Sequence, residues 1–195
     1  MSNVKIQQNC FRPCQRWLTK PLLAQPFQSW LIDNGSLTRR LQRRYSNFSV
    51  KPVAVKYAKP IIDESALLHL PAHKTALIRE VVLLGNNHPV VFAHSVLPRA
   101  SLRGAWRGLG KLGNKPLGVK RTPLEYKKLP RHHPISIRVS RMNNQLQLVY
   151  SAGTASTVAE HLQKTPKALW ARRSIFSLNC AKILVTEVFL PHLLK

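Results

Sequence analysis

Residues 76–98 read ALIREVVLLGNNHPVVFAHSVLP. Two runs of mainly apolar residues, Ala76–Leu84 and Val90–Leu97, flank Gly85-Asn86-Asn87-His88-Pro89, an unbroken series of turn formers. Short apolar runs bounded in this way read as strands, so the stretch predicts an antiparallel hairpin. The C-terminal end repeats the pattern, with Arg173–Leu178 and Lys182–Leu190 around Asn179-Cys180-Ala181. Upstream, Ser49–Tyr57 has strand-like spacing of apolar residues, and Pro52, which lacks a ladder donor, assigns it to a sheet edge.

Helical spacing marks other stretches. Phe27, Trp30 and Leu31 precede a break at Asp33-Asn34-Gly35; Leu37 and Leu41 follow it, with Ser36 placed as an N-cap. Pro98–Leu109 puts Leu102, Trp106 and Leu109 on one side, and Thr157–Lys164 reads as a helix stopped by Pro166. Residues 119–150 read as a basic inserted loop followed by a hairpin, with Ile135, Ile137 and Val139 on one strand and Leu146, Leu148 and Tyr150 on the other. The sum predicts an α+β fold, a single antiparallel sheet of about five to seven strands with helices packed on it. One domain over residues 1–195 is expected, with a loosely held basic segment at 1–20.

Composition narrows the class. Hydrophobic residues make up 44% of the 195, enough for a core and against wholesale disorder. No apolar run reaches the roughly 18 residues of a membrane-spanning helix. The start, MSNVKIQQNC, has no apolar core of a secretory signal, so the cytoplasm is expected. Cys10 and Cys14 have no second ligand pair at zinc-finger spacing, which leaves them and Cys180 as free thiols and predicts no metal.

Charge is extreme: 31 Lys and Arg against 7 Asp and Glu, a net +24. Such a balance suits phosphate backbones, but their binding depends on clustering. Here the basic residues run along the whole chain, with no basic tail or RNP-like aromatic pair. The same field would also concentrate a small anion such as a dicarboxylate. Composition leaves both readings open.

Seven acidic residues can be judged singly. Asp33, Asp63, Glu64, Glu125 and Glu160 lie in polar or loop-like surroundings and read as solvated surface. Glu187 instead has Val185 and Phe189 two positions away, and a carboxylate there must be paired, hydrogen-bonded or protonated. Arg79 and Glu80 raise the same problem on adjacent positions of one strand. If only one face of the sheet is covered, one of them points inward, and periodicity does not say which. An inward guanidinium would offer a fork of donors for a carboxylate. Gly108-x-Gly110-x-x-Gly113 matches a dinucleotide spacing but follows a helical stretch instead of a strand, so it is set aside.

Four blocks in order along the chain resemble chorismate lyase: LIDNGSLTRRL (31–41), LIREVVLLGNNHPVVFAHSVLP (77–98), LGKLGNKPLG (109–118) and LWARRSIFSLNCAKILVTEVFLP (169–191). The resemblance implies conversion of chorismate to 4-hydroxybenzoate and pyruvate, the first committed step of ubiquinone synthesis. It further implies a monomer with helices on one face of the sheet, a ligand pocket under flaps, and no cofactor or obligate protein partner. On the matching positions, Arg79 would grip the ring carboxylate and Glu187 the ring hydroxyl, while the backbone amides of Leu37 and Leu117 would help to hold the ligand. For the second carboxylate the candidates are His94, where the family tends to carry arginine, Lys111, Lys115, Arg172 and Arg173. Two features depart from the family, the long basic stretch at 119–168 and the high charge. They leave room for weak association with an anionic membrane surface, while no motif supports a specific nucleic-acid partner. A ligand-sensing domain of the same fold, as in GntR-type regulators, and a basic nucleic-acid-binding protein are the alternative readings.

Overall fold

The computed structural model describes residues 17–71, 73–104, 106–107, 120–121, 125–130, 133–136, 138–139 and 168–195. Short helices α1 (Gln28–Leu31) and α2 (Leu37–Arg44) precede β1 (Phe48–Ala58) and α3 (Ile62–Leu67). Then come β2 (Ala76–Gly85), β3 (His88–Pro98), α4 (Arg99–Arg103), β4 (Lys120–Arg121), β5 (Glu125–Pro130), β6 (Ala168–Leu178) and β7 (Ala181–Phe189), with a 3₁₀ turn at Pro191–Leu194. The strands form one antiparallel sheet in the order β1-β2-β3-β7-β6-β4, and β5 also pairs with β6. The expected α+β architecture is therefore present. No helix among the described residues is long and apolar enough to cross a membrane.

Both hairpins are tighter than their sequences suggest. Gly85 pairs with His88 and Leu178 with Ala181, so each loop has two residues, Asn86-Asn87 and Asn179-Cys180. All four have positive φ, between 46° and 68°, the sign pattern of a type I′ turn, whose twist matches that of the strands. β1 is the edge strand that Pro52 predicts, with a register shift between Pro52 and Ala54.

The sheet is covered on both sides. On the front, Trp30 and Leu31 of α1 and Leu37 and Leu41 of α2 pack on Val81, Leu83, Val91, Ala93, Trp170 and Phe189. Further along the same face, Trp106 joins Leu97 and Ile183. This is the layer of helices that the sequence predicts. On the back, Leu68 just after α3 packs on Ile78, Val96 and Leu184, while Ile135 and Val139 pack on Val82, Phe92 and Val188. This second layer answers the Arg79–Glu80 question in an unexpected way: adjacent strand residues face opposite sides, and both sides are covered.

Other expectations change. The predicted helix at Pro98–Leu109 ends at Arg103, where Gly104 leaves helical geometry (φ −107°, ψ −129°). Trp106 then swings its Nε1–H onto the Ala181 carbonyl at 2.9 Å. Within the expected hairpin, residues 134–136 and 138–139 are helical, because Ile135 and Val139 stand one turn apart and bury together on the back face. Residues 143–150, and the helix expected over Thr157–Lys164, lie outside the described residues, as do Cys10 and Cys14.

Candidate active site

Register defines the site. Across four strands of the front face run Arg79, Ser95, Val185 and Ser174; beside them run Val81, Ala93, Glu187 and Arg172. Directly opposed residues of antiparallel strands share a face, so Arg79 and Glu187 lie on one side with β3 between them. The β3 residues between them, Ala93 and Ser95, are small. The α1–α2 cluster closes one end of this strip and the Trp106 cluster the other.

Arg79 is half-buried, and its side chain makes no hydrogen bond or ion pair with the described residues. Burial draws its guanidinium below the usual range, although an arginine remains charged at neutral pH. Its β1 neighbour Val55 is 59% exposed, so Arg79 stands where the covered strip opens towards solvent. Five N–H donors on a half-buried cation with no acceptor among the described residues suit an anion.

Glu187 is held differently. Its Oε2 accepts from Nε of Arg172 at 2.5 Å. Arg172 is itself fully buried, and its Nη1 donates to the carbonyls of Trp30 (2.9 Å), Leu31 (3.4 Å) and Asp33 (2.6 Å). An arginine offers donors only, so Oε2 is committed as an acceptor. Oε1 makes no hydrogen bond among the described residues. Leu37 follows the N-cap Ser36, whose hydroxyl accepts from the Arg39 N–H at 3.4 Å. At this first helical position the Leu37 N–H has no partner within the helix, while the Leu37 side chain is buried on the front face. Asp33 Oδ1 accepts from the Gly35 N–H at 2.7 Å and Oδ2 from Arg40 at 3.0 Å, which shapes the corner between α1 and α2.

His94 does not join this group. As the strand residue between Ala93 and Ser95 it faces the back, buried, with Nδ1 3.0 Å from Glu80 Oε1 and Nε2 3.1 Å from Glu64 Oε1. Arg138 reaches the same Glu80 oxygen. Burial alone would raise the Glu80 carboxyl, but hydrogen bonds from His94 and Arg138 bring it down to about 2. Burial alone would lower the His94 imidazolium, yet the two carboxylates outweigh it and raise it. Arg173 also faces the back and pairs with Asp63 at 3.0 Å. Leu117, Lys111 and Lys115 lie outside the described residues.

Two features escape sequence reading. Glu64 is buried beside His94 and not solvated, because α3 packs on the back face; its Oε2 also accepts from the Ile61 N–H at 3.1 Å. Arg172 is the partner of Glu187, a pairing across two strands that spacing alone does not reveal.

The model of the chorismate lyase family matches residues 16–195. A probable chorismate pyruvate-lyase of Nitrosospira multiformis is 45% identical, covering 92% of this chain and 94% of its own. One from Nitrosomonas europaea is 44% identical, covering 83% and 85%, and one from Thiobacillus denitrificans 44%, covering 91% and 90%. Among solved structures, a GntR-family regulator from Bacillus cereus covers 74% of this chain and 92% of its own at 13% identity and a TM-score of 0.49, too distant to bear on function. The chain is an enzyme of the lyase class. It belongs to the chorismate lyase family.

Proposed function

We propose that this protein converts chorismate to 4-hydroxybenzoate and pyruvate, the reaction that opens ubiquinone synthesis. The observation that carries the reading is the half-buried Arg79, without a partner among the described residues, on the same side as Glu187 across the small residues Ala93 and Ser95. The product is flat, with a carboxylate at one end and a hydroxyl at the other. It suits one fork of donors, one acceptor opposite and apolar walls between.

In this reading Arg79 grips the ring carboxylate, and Oε1 of Glu187 accepts from the ring hydroxyl. The amides of Leu37 and Leu117 hold the ligand from the helical side and from the PLG segment. With His94 and Arg173 on the back and Arg172 buried, Lys111 and Lys115 are the candidates left for the enolpyruvyl carboxylate. In the reaction the ether bond between ring and enolpyruvyl oxygen breaks, and its electron pair leaves with that oxygen. The carbinol carbon loses a proton, and the C–H pair completes the aromatic ring. The departing enolate takes a proton and becomes pyruvate. Aromatisation drives the step, so much of the rate comes from holding chorismate in its reactive conformer between the two charges.

The test is direct: purified protein and chorismate, with no added metal or nucleotide, release 4-hydroxybenzoate and pyruvate in equal amounts. Tight binding of 4-hydroxybenzoate with no turnover overturns the lyase reading in favour of a ligand sensor. The cationic surface further supports weak, salt-sensitive association of the enzyme with anionic membranes.

A further inference from the structure

Arg172 joins two parts of the site that the sequence holds far apart. Its Nε meets Glu187 on β7, and its Nη1 meets three carbonyls at the end of α1 and the corner beyond it. The last carbonyls of a helix have no partner within it, and a guanidinium among them satisfies several at once. From the same corner α2 departs, with Leu37 as its first residue. The flat guanidinium is packed beside the Phe189 ring, 5.5 Å from its centroid, and has almost no exposed surface.

We propose that Arg172 is a positioning residue for the lyase reaction: anchored by the carbonyls of the α1–α2 corner, it holds Glu187 with one oxygen engaged and the other free for substrate. The inference rests on the lyase reading and deepens it. A fully buried guanidinium with these four contacts is poorly placed to reach the enolpyruvyl carboxylate. It acts instead through the Glu187 carboxylate that meets the ring. Lysine would keep the charge but, as a compact ammonium on a flexible stem, would not reproduce the planar fork that spans carboxylate and corner.

The experiment is a double-variant cycle on chorismate turnover with Arg172→Lys, Glu187→Gln and the pair. Misplacing a catalytic group by about 1 Å can cost ~100-fold, so Arg172→Lys should lower kcat about 10- to 100-fold. Its KM should stay within about threefold, because loss of a transition-state interaction lowers kcat at little cost to ground-state binding and Arg79 is intact. Because Arg172 acts through Glu187, the double variant should be little slower than Glu187→Gln alone. Losses that multiply, or an Arg172→Lys enzyme with normal kcat or a raised KM, overturn the proposal and leave the lyase reading standing. No turnover by the unaltered protein overturns both. If Arg172→Lys does not fold, Arg172→Gln, which keeps donors for the corner carbonyls, takes its place in the cycle. If neither folds, Arg172 is structural and the proposal fails.

Discussion

Arg79 and Glu187 face the same side of the sheet with β3 between them, two residues out of step along it: Arg79 stands opposite Ser95, Glu187 opposite Ala93. Two interstrand spacings separate them by about 10 Å across the sheet, and the offset adds about 7 Å along it. With side chains extending inward, the gap suits one substituted ring over Ala93 and Ser95. One charge has no protein partner among the described residues; the other is clamped. That asymmetry assigns them different kinetic effects.

Arg79→Ala should act on binding. A hydrogen-bonded charge contact is worth about 1.5–3 kcal/mol, so KM for chorismate and Kd for 4-hydroxybenzoate should rise about 10- to 100-fold. Titration calorimetry with 4-hydroxybenzoate checks this, and Arg79→Lys should recover only part of the loss.

Glu187→Gln should act on turnover. Exchanging the carboxylate for an amide removes a group of the kind that contributes about 10²- to 10⁴-fold, while the shape beside Arg172 is kept. Stopped assays at a temperature where both proteins are folded should show kcat down within that range, while loss of the counter-charge to buried Arg172 also lowers the unfolding midpoint. Normal activity in both variants would mean the site is elsewhere.

The back-face cluster gives a pH signature in stability. The raised His94 contributes stability that is complete below its unfolded value of 6.5 and is lost as pH rises through the folded value. The lowered Glu80 contributes stability that is complete above 4.5 and is lost as pH falls towards about 2. Thermal midpoints should therefore favour roughly pH 4.5–6.5 as far as this cluster decides. His94→Gln, which leaves Glu64, Glu80 and Arg138 facing an uncharged group, should lower the midpoint most at acid pH and flatten its decline on the alkaline side.

The acidic side chains that the structure describes, Asp33, Asp63, Glu64, Glu80 and Glu187, each sit in an ion pair. They therefore do little to break up a surface that displays Arg39, Arg43, Arg44, Lys51 and Lys56. Sedimentation with vesicles containing anionic lipid should show binding at low salt that disappears as ionic strength rises, and none to neutral vesicles. Chorismate turnover should be unaffected by their presence.

Packing at Gly85 offers a stability test away from the site. A Cβ there would fall 2.5 Å from the Tyr45 ring, so Gly85→Ala should destabilise by about 1–3 kcal/mol in denaturant unfolding. In a Tyr45→Ala background the penalty should largely vanish.

Much of the sheet was legible along the chain. Runs such as Ala76–Leu84 are mainly apolar and end at residues that tolerate positive φ, and these are local properties. The misfit of Arg79 and Glu187 among apolar neighbours was legible for the same reason, and the family resemblance of the motif blocks implies a role for each. What the sequence by itself could not determine was which charges meet. Strand alternation says that Arg79 and Glu80 face apart, and that His94 faces apart from Ala93 and Ser95. Assigning either side to the site requires the register across four strands and knowledge of what covers each face. Tertiary structure decided that the back is covered too, which buries Glu64 with His94. It also brought Arg172 to Glu187 from 15 residues away and to the end of α1 from about 140. A buried ion pair is selected by the space around it as much as by its own chemistry, and that space exists only once the sheet has closed against both of its layers.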